Sequence, residues 1–438
     1  MWRLFISDLR NRWLDWVGII LVAFFCGVAS GWSALLISSS YGLEGAASRQ
    51  LLNAGTATLF LTWIASIPVS ASVARLVAKK KEPSYSVWRL LGMRRRYVGL
   101  CFFVQIAIAS FFGLMLGFIA FGFAIPCFDV FVCLGACLDF PVVALVACVE
   151  LLAFVLGGLS SVHSSLNVSP LLTLGGQLPY RKKIGAFRIV VCALLVVDLF
   201  SLIAISVESD PLARISCLVF LPFVVALFCS VVLRPLLPWV VKTWTAVAPW
   251  RGSPVWLVAQ SKVLFYSDES VAIQMPIAIG ISLVAGLIAV VDALVVYLRG
   301  QGIEASGIST EQLLSFLGAP ILVCVAGAVA VVAMTANDRV LEGRTFISCG
   351  SSHRSIFEMM ICESFIHAFN ALIVGMACAL SSGAIASAVC SVSLPLSACL
   401  VSSLLIFAPS FAVVLSPMLM VLPSVSAGKV LLARKAVE

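Results

Sequence analysis

Residues 54–96 read AGTATLFLTWIASIPVSASVARLVAKKKEPSYSVWRLLGMRRR, an apolar run followed at once by a basic stretch. The first part, 54–76, is long enough to cross a bilayer, and in lipid only a helix satisfies its own backbone polar groups. The second part holds Lys79, Lys80, Lys81, Arg89, Arg94, Arg95 and Arg96, with Arg75 just inside the run. Such density of positive charge beside a span marks its cytoplasmic side. One stretch therefore predicts both a spanning helix and its direction.

Working outward, nine more runs of the same kind appear, so that the predicted spans cover 16–36, 54–76, 97–125, 132–158, 189–207, 215–232, 271–297, 313–334, 356–379 and 394–418. The composition agrees: the 438 residues are 62% hydrophobic and 11% charged, too few polar groups to cover a soluble surface. With the N-terminus in the cytoplasm, 25 of the 28 Lys and Arg fall on the inner side, leaving Arg49, Arg214 and Arg299 outside. One miscounted helix would invert every later loop, so this bias supports both the count and the placing of both termini inside. The first run reads as a span and not as a cleaved leader, because its charged lead-in is long. The net charge of +8 is this topological signal, with anionic lipid as its neighbour, and implies no nucleic acid.

The expected fold class is thus all-α integral membrane, with ten transmembrane helices. Pro68, Pro276, Pro320 and Pro409 fall inside spans, where neighbouring groups take up the carbonyls they free. Helices lying at the inner surface are expected over 1–15 and 254–268. Most of the 15 cysteines lie in apolar runs as small hydrophobes. Cys127, Cys133 and Cys137 cluster around the outer loop between spans 3 and 4, as a disulfide if that side is oxidising or equally as an inert packed group.

The chain also repeats itself. Shifting it by 258 places WRLLGMRRRY, 88–97, over FISCGSSHRS, 346–355, so that Gly92 meets Gly350, Gln105 meets Glu363 and Gly117 meets Gly375. With one residue of slippage Gly27 meets Gly286. Two parallel four-helix units related by a pseudo-two-fold axis are expected, 1–160 and 241–438, with 161–240 as a linking helical hairpin.

The repeated pattern is an apolar pair and Gly after a basic stretch, then a cluster of charge, an acid or amide early in the next helix and a Gly further along. In it the chain resembles the FtsX-like permease family, the membrane subunits of MacB-type and BceB-type ABC transporters. The ten-helix arrangement with two such units is similar to the BceB-type branch. It departs from the family in its short loops, 37–53 and 298–312, where members carry a large extracytoplasmic domain. The resemblance implies a permease of the bacterial cytoplasmic membrane that exports or extracts an amphipathic peptide or lipid, an antimicrobial peptide for instance. It implies two copies of a separate cytoplasmic ATPase as partners, holding the ATP and Mg, because this chain has no Walker motif, no catalytic triad spacing and no metal-ligand spacing.

The candidate ATPase-coupling residues are Val87, Trp88, Leu91, Gly92, Arg94, Arg95 and Arg96 in the first unit and Phe346, Ile347, Gly350 and Arg354 in the second, on short helices that the two glycines would end. The competing reading of these segments is interfacial anchoring with snorkelling arginines. Polar residues inside spans are costly and mark a pathway or a buried pair. Gln105, Glu150, Asp198, Asp292, Glu363 and His367 are the candidates. Glu363 is expected to pair with a basic group such as Arg354 or to hydrogen-bond within its unit, and His367 to be a packing histidine; Asp198 and Asp292 have no obvious partner in sequence, and lining a wet cavity is the minority reading of them. Two other functions stay open from the sequence: a signalling subunit of an ABC-type complex, and an ion-coupled secondary transporter using Glu150, Asp198 and Asp292.

Overall fold

In the computed structural model the described residues are 13–42, 45–132, 138–166, 186–208, 211–248, 250, 252–302 and 310–435. Among them the chain is all-helical, and ten helices are long and apolar enough to cross a membrane, one for each predicted span. The protein is a multi-pass membrane protein. After a 3-10 turn at Trp13–Trp16 come α1 (Val17–Tyr41), α2 (Ala46–Leu90), α3 (Arg95–Val132) and α4 (Phe140–Leu166). Then follow α5 (Ala186–Glu208), α6 (Pro211–Thr245), the short α7 (Pro254–Phe265), α8 (Ser267–Gly300), α9 (Thr310–Ser348), α10 (His353–Cys390) and α11 (Leu396–Lys435). Pro68, Pro276 and Pro320 sit inside unbroken helices. Cys133 and Cys137 lie outside the described residues, as does the side chain of Cys127.

The helices form two compact units, Met1–Ile189 with Ile308–Ala330, and Val190–Gly307 with Val331–Glu438. In the first, α1 packs on α3 and α2, and α4 closes the bundle against both α2 and α3. Its core includes Ala34, Ile37, Leu59, Phe118, Val146 and Ala147. Helices in lipid gain little from hiding apolar surface, so small residues that bring backbones together carry the packing. A methyl group on Gly117 of α3 would fall 2.2 Å from the Phe24 carbonyl oxygen of α1, and one on Gly27 would fall 2.6 Å from the Leu114 carbonyl oxygen. Only glycine permits that approach.

In the second unit α8 packs on α10, α6 and α11, and α10 also holds α7 and α11. Leu218 and Leu221 of α6, Val290 and Leu294 of α8, and Ala386 and Cys390 of α10 make one core there. A methyl group on Gly375 of α10 would meet Ile281 and the Ala278 carbonyl of α8. The faces of Gly27 and Gly286 differ, for Gly286 looks at Pro222 and Ser382.

Helix α7 occupies part of the segment expected to lie on the membrane surface, but it is not a lipid anchor along its whole length. Trp256 is 1% exposed and packs against Trp244, Trp250 and Phe365. Trp256 is thus used to hold α7 on the second unit, whereas Phe265 stays exposed.

Candidate functional site

In the second unit a cluster of charged side chains forms where α7, α9 and α10 meet. Glu363, one face of α10, accepts a hydrogen bond from Arg339 Nη1 at 2.7 Å and pairs with Lys262 Nζ of α7 at 3.1 Å. Lys262 reaches Glu342 of α9 as well, at 2.6 Å. Two cations thus meet two carboxylates; Arg339 and Glu363 are buried, Lys262 and Glu342 only partly so, and the mutual attraction offsets the cost of removing the inner pair from water. Arg339 is further held by the Thr335 hydroxyl at 3.3 Å. Arg354, the partner expected for Glu363, is instead exposed and pairs with Glu358 one turn along its own helix at 2.9 Å.

From Glu363 a polar track runs along α10. His367 and Asn370 follow at i+4 and i+7, which one helical face requires, and both are buried. Asn370 Nδ2 donates to Gln274 Oε1 of α8 at 2.5 Å, and Gln274 Nε2 donates in turn to His367 Nδ1 at 2.9 Å. With Nδ1 accepting, the neutral ring carries its proton on Nε2, which lies 3.6 Å from Glu363 Oε1. The donors therefore all point towards the carboxylate of Glu363. His367 is a satisfied core histidine, as its sequence context implies. The track covers seven residue steps of α10, about 10 Å of helix.

A cleft opens onto this cluster between Tyr266, Glu269, Asp338 and Thr335. At its mouth, burial and then the carboxylates of Glu342, Glu269 and Asp338 push the Tyr266 phenol up from its ordinary range. Beside it an apolar groove runs between α7 and the end of α9, lined by Leu257, Val258, Phe265, Phe346 and Cys349.

The first unit holds a corresponding but differently partnered group. Lys81 of α2 is fully buried, 3.4 Å from Asp15 and with its Nζ 5.6 Å from the centre of the Trp16 ring. Gln105 of α3 accepts from the Tyr85 hydroxyl at 3.3 Å. Tyr85 also packs on Phe102 and Trp88.

The coupling candidates sit at the ends of α2 and α9. They are not on separate short helices: α2 and α9 run unbroken from their spans to Leu90 and Ser348. The two glycines do end them, at φ +91 in both Gly92 and Gly350, a conformation that costs glycine nothing. The backbone bonds match one for one at a spacing of 258. Leu91 N–H to Val87 O matches Cys349 to Thr345, Gly92 to Arg89 matches Gly350 to Ile347, and Met93 to Trp88 matches Ser351 to Phe346. The next helices begin at Arg95 and His353, again 258 apart.

The side chains are less alike. Val87, Leu90 and Leu91 are exposed, Leu91 by 78%, whereas Trp88 is half-buried against Tyr85 at 5.4 Å between ring centres. Arg94, Arg95 and Arg96 are on the surface or near it. Phe346 and Ile347 are partly buried against Ile356 and Met360, so the second stripe is not an open one. Leu90 belongs to the exposed patch and is missed by an i, i+4 search from Val87.

The remaining intramembrane candidates separate. Glu150 of α4 is fully buried. Asp198 of α5 is exposed on a helix whose span is only 6% buried, and Asp292 of α8 is half-buried. Neither aspartate lines the cleft described above. Among the described residues no group of three His, Cys, Asp or Glu side chains could hold a metal ion. Arg339, Lys262, Glu342, Gln274 and Asn370 are site residues that sequence reading passes over. The signal available for them was the i, i+4, i+7 polar face of α10, with Asn370 its third member.

No family model matches this chain, and no curated protein matches it.

Proposed function

We propose that the chain is the membrane permease subunit of an ABC transporter in the bacterial cytoplasmic membrane, one that couples hydrolysis by a separate ATPase to the export or extraction of an amphipathic peptide or lipid. In this reading both termini are cytoplasmic, and two FtsX-like units related by a pseudo-two-fold axis each present one helix end to one ATPase protomer. The observation that carries it is the pair of helix ends at Gly92 and Gly350, which repeat the same hydrogen bonds and the same start of the following helix at one spacing. A two-fold symmetric motor needs two equivalent contacts, and a repeat of this kind supplies them from a single chain. The exposed apolar residues Val87, Leu90 and Leu91 beside Arg94 to Arg96 support a docking role for the first end. The buried cluster of Lys262, Arg339, Glu342 and Glu363 supports rigid transmission from the second end into α10.

The test is purification of the tagged chain from its host membrane, a search for a co-purifying ATPase, and reconstitution. A stable complex with two ATPase copies per chain, and transport that needs ATP, are expected. Transport that proceeds without any ATPase and collapses with an ion gradient overturns the reading.

A further inference from the structure

Glu150 and Glu363 are both buried glutamates on spanning helices, and their surroundings are opposite. Glu363 is held between Arg339 and Lys262. Glu150 lies ten residues past Phe140, about 15 Å into an apolar span and so near its middle. Helices α1, α2 and α3 of the same unit pack against α4 there. Helix α1 brings the Cys26 thiol near the carboxyl, and α2 brings the Ser66 side chain beside it. Among the described residues no cation pairs with Glu150, and neither of its carboxyl oxygens has a partner in hydrogen-bonding geometry.

The Ser66 hydroxyl donates to the Trp63 carbonyl at 2.8 Å, within its own helix. Trp63 spends its own indole N–H on the Val149 carbonyl at 3.0 Å, one residue before Glu150. An ionised carboxylate in such a place has no cation beside it among the described residues, only the Cys26 thiol, the Ser66 hydroxyl and apolar groups, and a buried group in that position neutralises by taking up a proton. A protonated carboxyl, by contrast, has an O–H to offer to the Ser66 oxygen.

We infer that Glu150 is an intramembrane proton-binding site, a carboxylic acid at neutral pH inside the four-helix packing of the first unit, while Glu363 is a permanent carboxylate. The inference is independent of the energy source proposed above. It assigns a reactivity, too. An apolar carbodiimide that dissolves in the bilayer takes the proton of a carboxylic acid onto one nitrogen, and the carboxyl oxygen then bonds to its central carbon. The acyl group next migrates from that oxygen to nitrogen, leaving a stable N-acylurea. Nothing is oxidised and no atom leaves, so the product is the acid plus one whole reagent molecule. A carboxylate locked to two cations has no proton to start this sequence.

The experiment uses the full chain in lipid vesicles at neutral pH, treated with dicyclohexylcarbodiimide and mapped by peptide mass spectrometry. An adduct on Glu150 and none on Glu363 is expected; an adduct on Glu363 and none on Glu150 overturns the inference. Infrared spectroscopy reads the same question without needing reagent access. In the wild-type minus Glu150→Gln difference spectrum the carbonyl band of a carboxylic acid is expected, and a pair of carboxylate bands overturns the inference. Glutamine copies the shape and neutrality of the protonated acid, so Glu150→Gln should fold with an unchanged thermal midpoint. Failure of that variant to fold would show that an anion is required there, and the inference falls.

Discussion

Lys81 and Arg339 occupy the same place in two hairpins: each is buried, and each lies eleven residues before the positive-φ glycine, Gly92 or Gly350, that ends its helix. Across the turn Gln105 and Glu363 stand thirteen residues after those glycines, and both are buried. The second hairpin joins its two members directly, Arg339 to Glu363. The first gives Lys81 an acid from outside the hairpin, Asp15, and Gln105 a tyrosine within it, Tyr85. One scheme of buried polar groups beside a turn is thus filled with two different charge sets.

Removing one member of the second set strands the others. Glu363→Ala leaves Arg339 buried without its carboxylate, and loss of a single partner from a buried pair costs about 3–5 kcal/mol. A large drop in the thermal midpoint of the detergent-purified protein is expected. The double variant Arg339→Met with Glu363→Leu removes both charges and keeps the Lys262 to Glu342 bridge, so it should recover most of that loss. A double variant as unstable as Glu363→Ala would show that the pair contributes more than mutual neutralisation.

Gly92 and Gly350 are held at φ +91. Alanine in that region costs about 1–2 kcal/mol, and asparagine less. Gly92→Ala and Gly350→Ala should each lower the thermal midpoint, with the asparagine variants in between. Equal midpoints for alanine and glycine would mean that the turns are built differently.

Close approach between α1 and α3 makes a similar prediction with its own control. Gly117→Ala places a methyl 2.2 Å from a backbone oxygen of α1, and overpacking of that kind costs about 1–3 kcal/mol. Gly122 in the same helix has open space around it, so Gly122→Ala should be neutral or slightly stabilising. The two variants, compared by thermal unfolding, separate packing from helix propensity.

At the first helix end Leu91 is the most exposed of the apolar residues, and Trp88 is engaged with Tyr85. If this end docks the proposed ATPase, Leu91→Asp should weaken that binding while leaving insertion and the thermal midpoint unchanged. Loss of a central apolar contact commonly costs about 2 kcal/mol, roughly thirtyfold in affinity. Trp88→Ala is expected to lower stability as well as binding. Unchanged binding in Leu91→Asp would leave this end as a lipid-facing surface.

How much of this was legible in the sequence follows from the range of each interaction. The spans were, because hydropathy is a property of about 20 consecutive residues. Gly92 and Gly350 were, because a helix stop is local. The partners of Glu363 were not: Arg339 lies 24 residues back across a turn, and Lys262 is 101 residues back on a helix that composition alone reads as a surface anchor. Trp256 misled for the same reason, since a tryptophan beside a basic residue looks alike whether lipid or Phe365 covers it. The exposure of Asp198 had no local signal at all.

Asp198 gives the last prediction. It sits near the middle of α5, on a span of which almost nothing is buried, and the Ser201 hydroxyl beside it donates to its backbone carbonyl at 2.8 Å and not to its carboxylate. At the centre of a spanning helix an aspartate disfavours insertion by about 2.5–3.5 kcal/mol, whereas leucine favours it slightly. In a translocon insertion assay of the isolated 186–208 segment, Asp198→Leu should therefore shift the equilibrium towards insertion by about 3 kcal/mol. In the full chain, Asp198→Asn should leave the thermal midpoint where it is, because among the described residues no side chain depends on that carboxylate. A drop in the full-chain midpoint equivalent to more than about 1 kcal/mol, the value of an ordinary hydrogen bond, would show that Asp198 has a partner within the folded protein. The exposed face of α5 would then have to be closed by the chain itself.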